Sequence, residues 1–315
     1  MLRSGACLGI TPLLVLAGCA SVHHTPASKG KIAVIAHRGA SAYAPENTLA
    51  SYAKAIELGA DWFELDTQLT KDGQVICLHN SDLDKTTNAK GPVNNYTLEE
   101  LKRLDAGSWF GKTFAGEPLP TFGEALDLAK GRIGVYAEFK NCTDENKQIR
   151  ELMGRFQGIE TLTPEMSDEA MRMLEASGDV NIELTRKCIA AIRERTMQQQ
   201  VVIQSFSPII CFVAVREAPD MRVELLIDES DKDPSQWPTL VWFGNLIGVK
   251  GFNSNHEALT EERLAGFHNA GKTVAVWTVD DPAKMRRYAE WGVDAIITNK
   301  PDVCLTQLRE MGCHQ

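Results

Sequence analysis

The stretch IAVIAHRGASAYAPENTLASYAKAIELGADWFELD, residues 32–66, contains two short apolar runs separated by a segment of helix length. Residues 32–36 and 61–66 predict strands, and residues 48–58 predict the helix between them. Further strands are predicted at 133–138, 201–204, 222–227, 247–251, 273–278 and 295–297, and further helices at 122–130, 182–198, 261–270 and 282–291. Eight alternations of strand and helix predict an α/β protein with a TIM (β/α)8 barrel, and an open doubly wound sheet is the alternative.

Length and charge agree with one barrel domain and restrict the class of partner. The chain has 315 residues, of which 43% are hydrophobic, and this is enough for a barrel of roughly 250 residues. Its formal net charge is -9, and acidic and basic residues are interspersed without a cluster of lysine and arginine. This pattern argues against binding to nucleic acid.

The first residues, MLRSGACLGITPLLVLAGC, have a basic start at Arg3 followed by an apolar stretch of about a dozen residues. The stretch is too short to span a membrane and is typical of a secretory signal. The segment ending at Cys19 resembles the lipobox of bacterial lipoproteins, in which that cysteine is lipidated, and a simple signal peptide is the alternative. We therefore predict a signal peptide over 1–18, a lipidated cysteine and flexible tether over 19–31, and a barrel over 32–315. Such a protein is exported and membrane-anchored, in the periplasm or at the cell surface.

Two segments interrupt the alternation. The turn at 71–73, Lys-Asp-Gly, favours a hairpin, so residues 74–78 are expected to extend the second strand. Residues 80–120 then form an insertion between strands 2 and 3, a candidate lid or substrate wall. The second segment, residues 141–181, is polar and is expected to be a solvated decoration. The six cysteines beyond Cys19 form no CxxC motif, which makes structural zinc unexpected, and no disulfide pairing is predicted.

Charged side chains stand where the predicted strands end. In a barrel these carboxyl ends share one face, on which active sites are assembled. The sequence therefore brings the following residues to one mouth: His37, Arg38, Glu64, Asp66, His79, Glu138 and Lys140.

Three of these residues are candidate metal ligands. Glu64 and Asp66 are two residues apart on a strand, so their side chains point to the same face. Like charges at that distance repel each other, and a divalent cation would relieve the repulsion. Glu138 would supply a third carboxylate, and an all-oxygen set predicts one Ca²⁺ or Mg²⁺ ion rather than zinc.

The remaining residues suggest proton transfer to and from an anionic substrate. His37 and His79 form a plausible acid–base pair, because the unperturbed pKa of histidine lies near neutrality. Arg38 and Lys140 add fixed positive charge, and arginine can hold a phosphate through two oriented hydrogen bonds. Nearby, Asn47 is expected to cap the following helix, and capping is also the favoured role of Glu46.

The ordered motifs resemble a known family. They are AHRGASAYAPENTLASYAKAIELGADWFELDTQLTKDGQVICLHN, DAGSWF, AEFK, IQSFSP, VAVWTVDD and DAIITNKPD, which together span about residues 32–301. The set is similar to the glycerophosphodiester phosphodiesterase family, with the lipobox suggesting a bacterial lipoprotein member. The resemblance implies a TIM barrel that uses a divalent metal to hydrolyse glycerophosphodiesters to glycerol 3-phosphate and an alcohol.

The resemblance also assigns roles to individual residues. His37 and His79 match the catalytic histidines, Arg38 matches the phosphate-binding arginine, and Glu64, Asp66 and Glu138 match the metal ligands. Lys140 matches the lysine after the third-strand glutamate, and Trp277 matches the aromatic residue of the Trp-Thr-Val segment and is a candidate substrate contact. The order in which the histidines act, and the choice between water and the substrate's own hydroxyl as nucleophile, stay open.

Three positions depart from the family pattern, and two other functions remain as alternatives. Asn80 stands where aspartate is common, Lys85 where arginine is common, and Asp280 where asparagine is frequent, so the orientation of His79 and the detail of the pocket are less determined. One alternative is a phosphodiesterase of the lysophospholipase D type. The other is a non-catalytic surface binding protein on the same fold, which retention of both histidines and all three carboxylates disfavours. No oligomeric state is predicted.

Overall fold

A computed structural model describes residues 30–229 and 236–315 of the chain. In this part of the chain, eight parallel strands close into a barrel, since the sheet order runs β1-β9-β8-β7-β6-β5-β4-β2 and β1 also pairs with β2. The strands are β1 (Ala33–Ala36), β2 (Trp62–Leu69), β4 (Gly134–Phe139), β5 (Val201–Ser205), β6 (Arg222–Ile227), β7 (Gly251–Asn255), β8 (Thr273–Trp277) and β9 (Ala295–Thr298). The predicted TIM barrel is confirmed, and the open sheet is excluded by the β1–β2 pairing.

Apart from one short helix in the insertion over residues 80–120, the helices surround the barrel and cover its outer face. The helices are α1 (Leu49–Glu57), α2 (Leu98–Leu101), α3 (Phe122–Ala129), α4 (Asn146–Phe156), α5 (Pro164–Ser177), α6 (Val180–Glu194), α7 (Pro208–Glu217), α8 (Gln236–Ile247), α9 (Glu261–Asn269), α10 (Pro282–Trp291) and α11 (Pro301–Glu310). Side-chain caps fix several of their starts; for example, Ser207 accepts a hydrogen bond from the Ile210 amide, and Pro208 opens α7. The main apolar core lies between these helices and the strands.

The interior of the barrel is apolar at one end and charged at the other. A small cluster that includes Ile35, Tyr136, Val202 and Ile297 fills the end where the strands begin. Buried polar side chains replace it toward the carboxyl ends of the strands, where β2 carries Glu64 and Asp66. The apolar layer supports a polar layer that forms the floor of the mouth.

The sixth barrel strand was predicted in the wrong place. Residues 247–251 were expected to form it, but Ile247 is the last residue of α8, and Gly248 has a φ of 84°, a conformation that suits the end of a helix. The strand is Gly251–Asn255, with the sequence GFNSN. Asparagine and glycine are depleted in strands, so β-propensity favoured the apolar residues that precede this segment.

The insertion over residues 80–120 has a small core of its own. A short strand, β3 (Val75–Cys77), pairs antiparallel with β2, as the hairpin prediction requires. The insertion that follows packs on this hairpin through Ile76, Leu83, Val93 and Leu101. It also reaches the mouth, because the Lys85 ammonium lies 3.8 Å from a carboxylate oxygen of Glu46.

The segment over residues 141–181 is not a solvated decoration, and that prediction is wrong. Its helices α4 and α5 bury Leu152, Phe156 and Leu174 completely or nearly so. The Phe156 ring contacts Phe212 of α7 and Phe243 of α8, with centroids 6.0 and 6.5 Å apart. The polar residues form the outer faces of two amphipathic helices, whose inner faces extend the main core.

This segment also buries a carboxyl group that has no cationic partner within residues 30–229 and 236–315. Glu145 is 3% exposed, and one of its oxygens accepts hydrogen bonds from Asn181 Nδ2 at 2.8 Å and Ser207 Oγ at 2.7 Å. Burial, with the charge of Asp179 nearby, raises the pKa of Glu145 from 4.5 to about 7. Folding therefore favours the protonated form, and the free energy of unfolding falls as pH rises from about 4.5 through 7.

Replacing this residue is expected to stabilise the protein at alkaline pH. Glu145→Gln should raise the free energy of unfolding by roughly 2 to 3 kcal/mol at pH 8, because the amide keeps an acceptor for both hydrogen bonds and removes the cost of a buried charge. At pH 5 the change should be small, since wild-type Glu145 is then protonated when folded. Thermal unfolding of both proteins at the two pH values measures this, with the exposed Glu151→Gln on α4 as control. Equal shifts in Tm at both pH values would contradict it.

Two further sequence-based statements can be compared with the described residues. The six cysteines at 77, 142, 188, 211, 304 and 313 are all free there. Across residues 30–229 and 236–315, no helix combines the length and apolarity that a membrane crossing requires. The predicted signal peptide, Cys19 and most of the tether lie outside the described residues.

Candidate active site

A pocket of about 110 Å³ opens at the carboxyl ends of the barrel strands. A larger cavity of about 420 Å³ lies at the opposite, amino ends, but it contains none of the predicted site residues. The small pocket brings together residues that the sequence placed at one mouth, and its lining includes His37, Arg38, Glu64, His79, Glu138, Lys140, Gln204, Phe206 and Trp277.

Three carboxylates form the floor of this pocket. Glu64, Asp66 and Glu138 each offer an oxygen, and these oxygens all lie within 4.8 Å of one another. Asp66 and Glu138 are Cα partners on the neighbouring strands β2 and β4, and all three residues are at most 7% exposed. The grouping arises because parallel strands in register point paired side chains to the same face.

Burial and close contact with charged neighbours shift the pKa values of the three carboxyl groups. Burial, together with the neighbouring carboxylates, raises the pKa of Glu64 well above its usual range. Burial likewise raises the pKa of Glu138 to about 7, although Lys140 opposes the shift. For Asp66, Lys140 and Arg38 outweigh burial and hold the pKa well below its usual range. A buried all-oxygen cluster of this kind fits a hard divalent cation such as Ca²⁺ or Mg²⁺.

Two basic residues flank the carboxylates. Lys140 Nζ lies 2.7 Å from Glu138 Oε1 and 3.0 Å from Asp66 Oδ1. The Arg38 guanidinium donates to Glu46 Oε1 at 2.8 Å, and its Nε, 3.6 Å from Asp66 Oδ2, has no hydrogen-bond partner among the described residues. The expected capping role of Glu46 is therefore wrong, because its carboxylate is used to hold Arg38.

The backbone at Arg38 is held by the same carboxylates. Its φ of 55° lies in the left-handed region, which is uncommon for a residue with a side chain. The Arg38 amide donates to Glu64 Oε2 at 2.7 Å, and this bond fixes the turn after β1. Gly39 follows with a φ of 79°, and a Cβ there would lie 2.4 Å from Ser51 Oγ of α1. Glycine is thus required for contact between the loop and the helix.

His37 has a fixed tautomer. Its Nδ1 lies 2.7 Å from Asn299 Oδ1, while Asn299 Nδ2 donates to Asp280 Oδ2 at 2.5 Å. Because a carboxylate only accepts, Asp280 turns the amino group of Asn299 toward itself and leaves the carbonyl oxygen for His37. Nδ1 therefore carries the proton, and Nε2 has the free lone pair. Burial and the charge of Arg38 lower the pKa of His37 to about 4, so the ring is neutral near pH 7.

His79 is placed by two neighbours. Its Nδ1 lies 2.8 Å from Asn80 Oδ1, and its backbone carbonyl accepts from Gln68 Nε2 at 3.2 Å. Asn80 therefore orients this ring, although aspartate is common at its position in the family pattern. Burial lowers the pKa of His79, with Asp66 opposing the shift.

Asn47 is a site residue whose role sequence reasoning missed. Thr48, not Asn47, is the N-cap of α1. The Asn47 side chain is buried; its Nδ2 donates to Asp66 Oδ2 at 2.7 Å, and its Oδ1 accepts from the Asp66 amide at 3.1 Å and from the Tyr52 hydroxyl. Its φ of 57° places it in the left-handed region that asparagine tolerates better than most residues. The tolerance of asparagine for this backbone conformation was the one local signal in the sequence that pointed to a role other than helix capping.

Aromatic side chains form one wall of the pocket. Trp277 and Phe206 meet edge to face with centroids 5.5 Å apart, and Phe206 is 42% exposed. Trp109 and Phe110 of the DAGSWF motif do not line the pocket and instead pack with Phe114 in the insertion. The pocket thus combines a charged floor with an apolar wall.

A barrel whose mouth joins buried carboxylates, oriented histidines and fixed cations defines an enzyme that acts on an anionic ester. Residues 37–303 match the Glycerophosphoryl diester phosphodiesterase family. The chain belongs to this family and is therefore a phosphoric diester hydrolase.

Relatives and solved structures agree with this assignment. A protein of Caldanaerobacter subterraneus subsp. tengcongensis called glycerophosphodiester phosphodiesterase is 33% identical over 90% of this chain and 100% of its own length. One of the same name from Bacillus subtilis is 30% identical over 94% of this chain and 93% of its own length. Among solved structures, a putative glycerophosphoryl diester phosphodiesterase from Silicibacter pomeroyi superposes with a TM-score of 0.72 at 25% identity, covering 90% of this chain and 95% of its own.

Proposed function

We propose that this enzyme hydrolyses glycerophosphodiesters to glycerol 3-phosphate and an alcohol, with one divalent cation and two histidines. The observation that carries the proposal is the buried triad of Glu64, Asp66 and Glu138 beside an oriented, neutral His37. A structure of an Oleispira antarctica phosphodiesterase with sn-glycerol-3-phosphate bound has the same fold, with a TM-score of 0.70 at 23% identity over 88% of this chain and 96% of its own.

The charges of the pocket fit a phosphodiester. The carboxylate triad would hold the cation, which when bound supplies positive charge to the phosphate oxygens. Arg38 and Lys140 would stabilise negative charge that develops on the same oxygens in the transition state, an effect that is commonly a large part of catalysis. Trp277 would pack against an apolar part of the substrate.

The tautomer of His37 supports a division of labour between the histidines. Since Asn299 engages Nδ1, His37 presents only Nε2 to the pocket, and we propose that Nε2 takes the proton of the attacking hydroxyl. His79 would then give a proton to the oxygen of the leaving alcohol. The attacking hydroxyl belongs to water or to the glycerol of the substrate; trapping a cyclic phosphate would identify the latter.

Metal removal tests the proposal directly. Full-length protein treated with EDTA is expected to release no glycerol 3-phosphate from glycerophosphocholine, and added Ca²⁺ or Mg²⁺ should restore release, because the phosphate then regains its cationic partner. Glycerol 3-phosphate, choline and phosphocholine are all measured, because cleavage of the other ester bond would release glycerol and phosphocholine instead. Folded protein that releases neither product with either metal would contradict the proposed function.

A second substrate class is favoured by one observation. Phe206 exposes an apolar surface beside Trp277 at the rim of the pocket, where an acyl chain could pack. Lysophosphatidylcholine should therefore be compared with glycerophosphocholine at equal concentration. A higher kcat/KM for the acylated diester would identify a lysophospholipase D activity, and a lower one would restrict the enzyme to headgroup diesters.

We also propose that the protein is an exported lipoprotein anchored to a membrane through Cys19. The lipobox and the polar tether after it support this proposal. Mass spectrometry of the mature protein should find an acylated N-terminal cysteine at position 19, and Cys19→Ala should move the protein from the membrane fraction. An unmodified N-terminus would contradict lipidation.

A further inference from the structure

Gln204 is a buried amide that belongs neither to the carboxylate triad nor to the histidine pair. It is 2% exposed and lines the pocket between Glu138 on β4 and Glu224 on β6. All three residues are in one register, since Gln204 is the Cα partner of Glu138 on one side and of Glu224 on the other. A neutral side chain thus stands between two carboxyl groups in one layer of the barrel interior.

A second amide fixes the orientation of the first. Asn253 on β7 is completely buried, and its Nδ2 donates to Gln204 Oε1 at 2.7 Å. With its oxygen engaged in this way, Gln204 directs its amino group elsewhere. Among residues 30–229 and 236–315, no acceptor takes a hydrogen bond from Gln204 Nε2, and the residue borders the cavity.

The neighbouring carboxyl group of Glu224 is compatible with this direction of the hydrogen bond. Burial raises the pKa of Glu224, and both Arg222 and a hydrogen bond from the Asn253 side chain oppose the shift. A carboxylate can only accept, so it favours the amino group of Asn253 over its carbonyl oxygen. That oxygen has no hydrogen-bond partner among the described residues. With Asn253 Nδ2 donating to Gln204 Oε1, the amide at the pocket presents its amino group as a donor.

The free donor faces a site built for negative charge. Arg38 and Lys140 line the same pocket, and both can donate to an anion. We infer that Gln204 binds the substrate by donating Nε2–H to a phosphate oxygen, and that Asn253 is the positioning residue that keeps this group turned toward the pocket. The inference rests on the proposed function, because it assigns a contact with the same substrate.

Asn253 is connected to the pocket at a second point. Its backbone carbonyl accepts from the Trp277 indole Nε1 at 2.8 Å. One residue of β7 therefore holds both the amide and the aromatic wall of the pocket. Substitutions of the side chain at position 253 keep this backbone contact with Trp277, so of these two contacts they change only the hydrogen bond to the Gln204 side chain.

Binding of the product tests the role of Gln204. Full-length Gln204→Met, which keeps the side-chain volume and removes the donor, should bind glycerol 3-phosphate about ten-fold more weakly by calorimetry in the presence of Ca²⁺, because a hydrogen bond to a charged group is lost. The affinity for inorganic phosphate should fall by the same factor. Gln200→Met is the matched control, since Gln200 donates to the carbonyls of Ala129 and Ile133 away from the pocket.

The outcomes separate this inference from the proposed function. Wild-type protein that neither binds nor hydrolyses the diester would refute the proposed function itself. An active wild type with unchanged product affinity in folded Gln204→Met would overturn the contact. A loss with glycerol 3-phosphate but not with inorganic phosphate would overturn the assignment to a phosphate oxygen.

A double-mutant cycle tests the positioning role. Asn253→Asp replaces the donor by an acceptor, so Gln204 should turn its amino group away from the pocket and product affinity should fall as far as in Gln204→Met. In the Gln204→Met background the same change should have no further effect, whereas a merely structural role predicts losses that add. If Asn253→Asp does not fold, Asn253→Leu takes its place, with a smaller loss and the same non-additivity. Additive losses would overturn the positioning role.

Discussion

Asp66→Asn is expected to abolish both hydrolysis and the response of the protein to metal. Asp66 is the residue of the triad whose carboxylate stays ionised, and it contacts Lys140, Arg38 and Asn47 at once. The amide removes one negative charge and one carboxylate oxygen from the proposed metal site. Since a metal can supply several kcal/mol of transition-state stabilisation, kcat/KM should fall by at least about 10³-fold.

Thermal unfolding provides the second readout for Asp66. A ligand that binds only the folded protein stabilises it by about 2.7 kcal/mol at a concentration of 100 times Kd, so Ca²⁺ or Mg²⁺ should raise the Tm of the wild type. Asp66→Asn should show no such rise. The control is Asp127→Asn, an exposed carboxylate on α3 that pairs with Arg195. A metal-induced rise of wild-type size in Asp66→Asn would remove this residue from the proposed ligands.

His37→Gln should reduce kcat by about 10² to 10⁴ while leaving metal binding intact. Glutamine still offers a donor to Asn299 but cannot accept and release a proton at neutral pH. The metal-induced rise in Tm should match the wild type, because His37 is not one of the three candidate ligands. This combination distinguishes proton transfer from metal binding, which Asp66→Asn removes as well.

The controls for His37 use a histidine away from the pocket and the residue that orients the ring. His268→Gln, which breaks a contact with Asp294 on the barrel surface, should leave kcat unchanged. Asp280→Asn should give an intermediate loss, since Asn299 would no longer be forced to present its oxygen to His37. A His37→Gln enzyme with near-normal kcat would refute the assignment of His37 as the base.

The part of the site that could be predicted from sequence is the part that depends on short-range geometry. Side chains alternate between the two faces of a strand, so Glu64 and Asp66, two residues apart, could be predicted to share a face. The barrel then brought Glu138 beside them, since carboxyl ends of parallel strands lie together. Neither step needs knowledge of a loop conformation or of a particular side-chain rotamer.

The residues that orient the site could not be predicted in this way. Asn299 and Asp280 reach His37 only because β9 adjoins β1 and β8 adjoins β9, although His37 and Asn299 are 262 residues apart in the chain. Asn47 was interpreted as a cap because asparagine commonly caps helices, and its contact with Asp66 depends on a left-handed turn. Long-range polar contacts of this kind have no periodic signal in a sequence.

The single direction of the barrel strands has a consequence for how a lipid-anchored molecule would be oriented. The chain enters β1 at its amino end, immediately after Ile32, whereas His37 and the carboxylate triad lie at the carboxyl ends. A lipid on Cys19 would hold the molecule by the end opposite its mouth, which would then open toward the aqueous space. Soluble headgroup diesters could reach such a mouth by diffusion, whereas a lysophospholipid in the anchoring leaflet would first have to leave it. If Cys19 carries the proposed lipid, this topography would favour an enzyme that collects diesters already released from the membrane.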